Sequence, residues 1–318
     1  MNTDSYLARI GLARPSDTSP GTLGAIQTAH LTAVPYENID ILRGVPLSLD
    51  PEALFERCDA VVVNTVFAKN AELARRALER GLHVYAEKPA ATEFSALSAL
   101  ERTARASSAL YFSMLTLRYD PWFATAWRLC REGAIGEPRL VTAQKSYKLG
   151  TRPAFYADRA LYGGTIPWIG IHIIDLTLWL TGLPCERVTA RHSRVGNGGN
   201  GTMEATSAVT MTLSGGVEAQ LHTDFLRPES APTHGDDRIR IAGTRGVLEV
   251  RENRVWLADP ARSGAEPLPL DPVDAIFDDF LLLAEHPERR TAFHAGIDAF
   301  AATRTALEAR DDADRHGA

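Results

Sequence analysis

Glu87-Lys88-Pro89 stands immediately after Leu82-His83-Val84-Tyr85-Ala86, a short apolar run of the kind that forms a buried strand. That places it at the carboxyl end of a strand, where open α/β sheets bind their ligands. A lysine held there can bind a substrate hydroxyl or donate a proton, and Pro89 stiffens the turn that aims it. A solvated Glu-Lys pair in a loop fits the same three residues. A second candidate lies in Gly163-Gly164-Thr165-Ile166-Pro167-Trp168-Ile169-Gly170-Ile171-His172-Ile173-Ile174-Asp175, where His172 and Asp175 are three apart and share a helical face. A neutral histidine held by a carboxylate is a good general acid or base near pH 7. A buried histidine that caps or packs the first turn of a helix is the other reading of these residues.

Elements on either side must hold these groups in place. From Asp59 onward, Ala60-Val61-Val62-Val63-Asn64-Thr65 reads as a strand buried on both faces, and 82–86 and 110–115 read the same way. Between them, 70–80 has helical spacing with Gly81 at the C-terminal cap position, and 93–107 is a second helix. A β-α-β-α-β run of this kind implies parallel strands. After a helix at 122–131, alternating stretches at 138–148, 188–195, 205–213, 217–225, 237–242 and 246–250 predict a mostly antiparallel sheet. One helix interrupts it at about 169–180. A final helical segment is expected from about 272 to 310, with the charged tail 310–315 frayed.

Composition narrows the function. The chain has 318 residues, 45% hydrophobic and 23% charged, which describes a folded protein of about two domains. Thirty-four Lys plus Arg against 40 Asp plus Glu give a net charge of -6, so nucleic acid is not an expected partner. Cys58, Cys130 and Cys185 are far apart, which suggests neither a disulfide framework nor a thiolate metal site and fits a cytoplasmic setting. His192, His222 and His234 lack a ligand spacing, so no metal is expected. No signal peptide is expected, and no membrane contact, because no apolar run reaches the ~20 residues of a membrane span.

Taken with Asp59-Ala60-Val61-Val62-Val63, Arg118-Tyr119-Asp120-Pro121 and Glu132-Gly133-Ala134-Ile135-Gly136, the two candidate segments resemble the glucose-fructose oxidoreductase and inositol dehydrogenase family (Gfo/Idh/MocA) over about residues 51–310. The fold class that follows is α/β, an incomplete Rossmann-like parallel sheet and then an α+β domain with a large, mostly antiparallel open sheet. The resemblance implies hydride transfer between NAD or NADP and a sugar or cyclitol carbon bearing a hydroxyl. Lys88 matches the catalytic lysine and His172 the catalytic histidine. Many members carry an aspartate four residues before that histidine; here the position is Trp168, which suggests a reshaped sugar pocket. Thr65, Asn70, Glu87, Lys88 and Pro89, at the ends of strands 60–65 and 82–86, are the expected cofactor contacts. Arg118, Lys145, Tyr147, Trp168 and Asp175 are the expected substrate contacts. Lys148, Arg152 and Tyr156 fit either a pocket or a solvated sheet face. The family also implies a homo-oligomer, with the outer face of strands 205–213, 217–225 and 237–242 buried between subunits.

A dinucleotide site further needs a Gly-x-Gly-x-x-Gly turn after a first strand and before a helix. Nothing ahead of Asp59 supplies one, and Gly196-Asn197-Gly198-Gly199-Asn200-Gly201 lies between two strands and reads as a hairpin loop. In its place, Tyr6-Leu7-Ala8-Arg9-Ile10-Gly11-Leu12, Ala29 to Ile41 and Gly44 to Asp50 resemble the opening of arylamine N-acetyltransferases. Cys58 lacks the glycines that surround that family's catalytic cysteine, so acetyl transfer is not expected. The chain then divides as 1–50, an acetyltransferase-like segment; 51–118, a truncated dinucleotide-binding domain; and 119–318, a substrate and oligomerisation domain. A non-catalytic sugar-binding or oligomerisation remnant is the alternative, and an acetyltransferase-like protein a third.

Overall fold

The computed structural model describes residue 55 and residues 59–316, so the acetyltransferase-like segment lies outside the described residues. The described residues divide into two compact units that do not follow chain order. Residues up to 114, 153–163 and 279–300 form one; 115–152, 164–278 and 301 onward form the other.

In the first unit, β1 (Ala60–Val63), β2 (His83–Ala86) and β3 (Tyr111–Ser113) make a parallel sheet in the order β1-β2-β3. All four residues of β1 are buried, an unbroken apolar run because a parallel sheet is covered on both faces. The strand is shorter than 60–65, since Asn64 and Thr65 leave the ladder to begin the turn into α1 (Phe67–Glu79). This helix buries Phe67, Asn70, Ala71, Ala74, Ala77 and Leu78, a stripe with helical spacing. The second crossover, α2 (Phe94–Ala106), buries Leu97, Leu100 and Ala104. Aromatic rings bring the later segments into this unit. Phe67 meets Phe155 edge-on at 5.1 Å and Tyr156 at 5.8 Å, Phe280 packs on Tyr85 at 5.2 Å, and Phe300 stacks on Tyr111 at 4.9 Å. Tyr156, weighed as a sheet residue of the second domain, therefore belongs to the core of the first unit.

The second unit begins with α3 (Pro121–Arg131) and is built on eight strands: β4 (Pro138–Lys148), β5 (Cys185–Ser193), β6 (Thr206–Leu213), β7 (Val217–Arg227), β8 (Gly235–Gly243), β9 (Val247–Arg251), β10 (Arg254–Asp259) and β11 (Arg262–Leu268). Their order is β11-β10-β9-β8-β4-β7-β6-β5, and only β4 and β7 pair in parallel. Alternation is clean where one face is solvated: β7 buries Val217, Ala219, Leu221, Thr223 and Phe225 and turns Gln220 and His222 outward. Packed on β4 and β7 is α4 (Ile171–Thr181), apolar on nearly every side and buried along almost its whole length. A π-helical turn, Ile166–Gly170, precedes it where the sequence suggested ordinary helix from about 169. The glycine run at 196–201 is a loop between β5 and β6, with Gly196, Gly198, Gly199 and Gly201 at positive φ.

Two expectations need correction. Strands β10 and β11 were not anticipated, because the β9-β10 hairpin turns on Glu252 and Asn253, both at positive φ, with no glycine to mark it. The C-terminal segment is also not one helix with a frayed tail. It is α5 (Ile276–Glu285) and α6 (Ala299–Arg315), separated where Pro287 breaks the backbone pattern. Ala302, Ala306, Ala309 and Ala313 are fully buried along α6, and Asp312 accepts a hydrogen bond from the Ala190 N–H at 2.8 Å. Among the described residues no helix is long and apolar enough to cross a membrane.

Candidate functional site

At the carboxyl end of β1 the chain turns on Asn64 and Thr65. Asn70, in the first turn of α1, accepts hydrogen bonds through Oδ1 from the Thr65 N–H at 2.9 Å and the Thr65 hydroxyl at 2.8 Å. Its Nδ2 is buried and makes no hydrogen bond, and the same is true of both amide atoms of Asn64, a residue with no exposed surface. Buried amides are almost always satisfied. Three orphaned polar atoms thus lie together at one strand end.

Glu87, Lys88 and Pro89 follow β2 in the same unit. Lys88 and Glu87 are both buried; Nζ of Lys88 lies 3.9 Å from Oε1 of Glu87, and the Lys88 N–H donates to that oxygen at 2.9 Å. Burial raises the Glu87 pKa, opposed by the Lys88 charge and by that hydrogen bond. The Lys88-Pro89 peptide is cis. The structure thus brings Thr65 and Asn70 together, and Glu87, Lys88 and Pro89 in a second group on the neighbouring strand end. Asn64 was missed; a polar residue ending an apolar strand was the available signal.

In the second unit His172 occupies the first turn of α4, 5% exposed. Asp175, one turn later, grips Arg118: Oδ2 accepts from Nε at 2.9 Å and Oδ1 from Nη2 at 2.5 Å. Both residues are 2% exposed, and the guanidinium lies 5.2 Å from the Trp179 ring. The two charged ends, expected to meet substrate, meet each other in a bidentate pair that helps position α4. Trp168 sits half-buried in the π-helical turn just ahead.

Lys145, on β4, is fully buried; its Nζ lies 2.7 Å from Oδ2 of Asp237 and 4.5 Å from the centre of the Tyr147 ring. Burial opposes its charge, but Tyr147 and Asp237 together outweigh that and raise its pKa. Asp237 was missed as the partner of this lysine. One other titratable group was set aside at the level of sequence: His192, Glu204 and Asp314 have ligand atoms within 4.8 Å of one another. Nε2 of His192 lies 3.3 Å from Asp314, and Glu204 is held by the Thr165 N–H at 2.9 Å. Cys58 lies outside the described residues.

The sequence model described as an oxidoreductase family with an NAD-binding Rossmann fold matches residues 25–114, and the GFO/IDH/MocA C-terminal domain matches residues 123–249. An oxidoreductase structure from Thermotoga maritima is 42% identical, covers 88% of this chain and 86% of its own, and superposes with a TM-score of 0.81. Inositol 2-dehydrogenase 4 of Saccharopolyspora erythraea is 27% identical over 55% of this chain and 51% of that protein. The chain spans little more than half the length of such curated relatives. A 58-residue stretch is 45% identical to the arylamine N-acetyltransferase of Mycolicibacterium smegmatis, covering 18% of this chain and 21% of that enzyme.

Proposed function

Because the chain belongs to the GFO/IDH/MocA oxidoreductase family, we propose that it transfers a hydride between NAD or NADP and a hydroxyl-bearing carbon of a sugar or cyclitol. The orphaned amide atoms of Asn64 and Asn70 at the end of β1 carry this reading, since they fit a polar ligand laid across the strand ends. When bound, the cofactor supplies or takes up the hydride. Asn64 and Asn70 would hold it, together with Thr65 and the Glu87-Lys88-Pro89 turn. By the roles their family positions imply, Lys88 as an ammonium can stabilise negative charge developing on an oxygen, and His172 as a neutral imidazole can take up a proton. Both act as solvent-shielded groups, which strengthens their effect.

We take about the first 50 residues as an acetyltransferase-like start standing where the family's glycine-bearing first β-α-β belongs. The family match reaches back to residue 25, yet no Gly-x-Gly-x-x-Gly occurs before β1. Backbone donors to a pyrophosphate contribute ~1.5 to 3 kcal/mol each, and losing two weakens binding by about a hundred-fold or more. Fluorescence titration is therefore expected to give sub-millimolar dissociation constants for NADH and NADPH. Low-micromolar binding would overturn this and assign a phosphate site to residues 25–58.

We also propose that the chain self-associates through the large sheet, in the cytoplasm. Its solvated face, with Thr210 on β6, Gln220 and His222 on β7 and Thr142 on β4, presents polar side chains in register across neighbouring strands. Light scattering at micromolar concentration is expected to report a dimer or larger; a monomer would count against it.

A further inference from the structure

His192 lies on β5, Glu204 in the loop that leads into β6, and Asp314 at the end of α6. No ligand spacing marks them in the sequence, because three separate elements supply them. One ligand atom from each lies within 4.8 Å of those of the other two. Nε2 of His192 is 3.3 Å from Oδ1 of Asp314, and Nδ1 is 3.8 Å from Oε1 of Glu204. This is no patch of surface acids: the side chains of His192 and Glu204 are 4% and 2% exposed, and Asp314, at 49%, is the member that reaches solvent.

Glu204 is fixed from behind. Its Oε2 accepts from the Thr165 N–H at 2.9 Å and its backbone carbonyl from the Thr165 hydroxyl at 2.7 Å, while Oε1 faces the imidazole. Outer hydrogen bonds of this kind orient metal-ligating carboxylates. With the imidazole neutral, the trio carries two negative charges, one of them on a residue that is 1% exposed. A buried charge is costly unless it is matched, and a divalent cation matches this one. One nitrogen with two carboxylate oxygens suits zinc and its first-row neighbours, whereas calcium and magnesium favour oxygen alone. Ligand atoms on a tetrahedral zinc stand about 3.4 Å apart, a spacing that the measured 3.3 and 3.8 Å straddle. Since a single ring nitrogen binds the ion, Asp314, the ligand with room to move, closes on the nitrogen that Glu204 already faces.

We propose that His192, Glu204 and Asp314 form a binding site for one zinc ion or a first-row neighbour, with a coordination position left toward solvent for water. The ion ties α6 to β5 and, through Glu204, to Thr165 just ahead of the π-helical turn. Its binding energy adds to folding energy, so it fastens the C-terminal helix. The site is independent of the oxidoreductase reading.

The test is isothermal titration calorimetry of Zn2+ into the full chain, freed of metal with a chelator that is then removed. One equivalent is expected to bind at about micromolar affinity or tighter, and Mg2+ is expected not to compete. Asp314→Ala and His192→Ala are each expected to weaken that binding on the order of a hundredfold. Asp314→Ala keeps the test sound if His192→Ala disturbs the buried cluster, because Asp314 is half-exposed on a helix, where alanine is well tolerated. Zn2+ is also expected to raise the thermal unfolding temperature of the wild type and not that of Asp314→Ala. His286→Ala, which removes an exposed histidine paired with Glu288, is the control for adventitious binding and is expected to leave the affinity unchanged. A wild-type chain that binds no zinc saturably overturns the site, and so does wild-type affinity in both Asp314→Ala and a folded His192→Ala.

Discussion

Replacing Lys88 with alanine is expected to lower dehydrogenase turnover by ~10²- to 10⁴-fold, the range over which positioned acid-base groups act. His172→Ala is expected to do the same. Neither change is expected to unfold the protein. Lys88 lies in the turn after β2, and its charged neighbour Glu87 already has a raised pKa, so Glu87 can take up a proton when the ammonium is removed. His172 lies in the first turn of α4, where alanine is a better helix former. Steady-state rates, with thermal unfolding of the same samples, check both. A variant that keeps the wild-type rate removes its residue from the reaction.

Asp175→Ala has a different signature. It removes the carboxylate that grips both Nε and Nη2 of the Arg118 guanidinium, which is 2% exposed. Breaking a buried pair by removing one partner costs about 3–5 kcal/mol, whereas replacing both partners with apolar residues is often close to neutral. Urea denaturation is expected to show a loss of that order for Asp175→Ala, and Arg118→Met with Asp175→Leu to recover most of it. If the single variant matches wild type, the pair contributes nothing to the hold on α4.

Sequence carried the scaffold further than the site. The unbroken run Ala60-Val61-Val62-Val63 and the Glu87-Lys88-Pro89 turn could be read directly, because burial on both faces and a strand end followed by lysine are local signals. Pairings across the fold could not. Arg118 and Asp175 are 57 residues apart, and Lys145 and Asp237 are 92 apart; only the docking of α4 and the register of β4 with β8 bring them together. Arg118, Lys145 and Asp175 were expected ligand contacts, and nothing local indicated that Asp175 pairs with Arg118. The two positive-φ residues at Glu252 and Asn253 concealed a hairpin for the opposite reason: their local conformation is ordinarily announced by glycine. In α6, the charges from Arg310 to Arg315 masked an alanine stripe whose spacing was already visible.

The division of the chain bears on how such a protein can be rearranged during evolution. The backbone passes from one unit to the other at 114/115, 152/153, 163/164, 278/279 and 300/301. Any single crossover of genes between residues 115 and 300 would therefore give a hybrid in which at least one unit mixes segments from two parents, with Phe67 asked to pack on a foreign Phe155 or Tyr111 on a foreign Phe300. A breakpoint ahead of Phe55, whose ring carries the guanidinium groups of Arg76 and Arg80, divides none of the described partnerships. The start of this chain is the stretch where a new sequence can be spliced in while every described interlock is inherited whole.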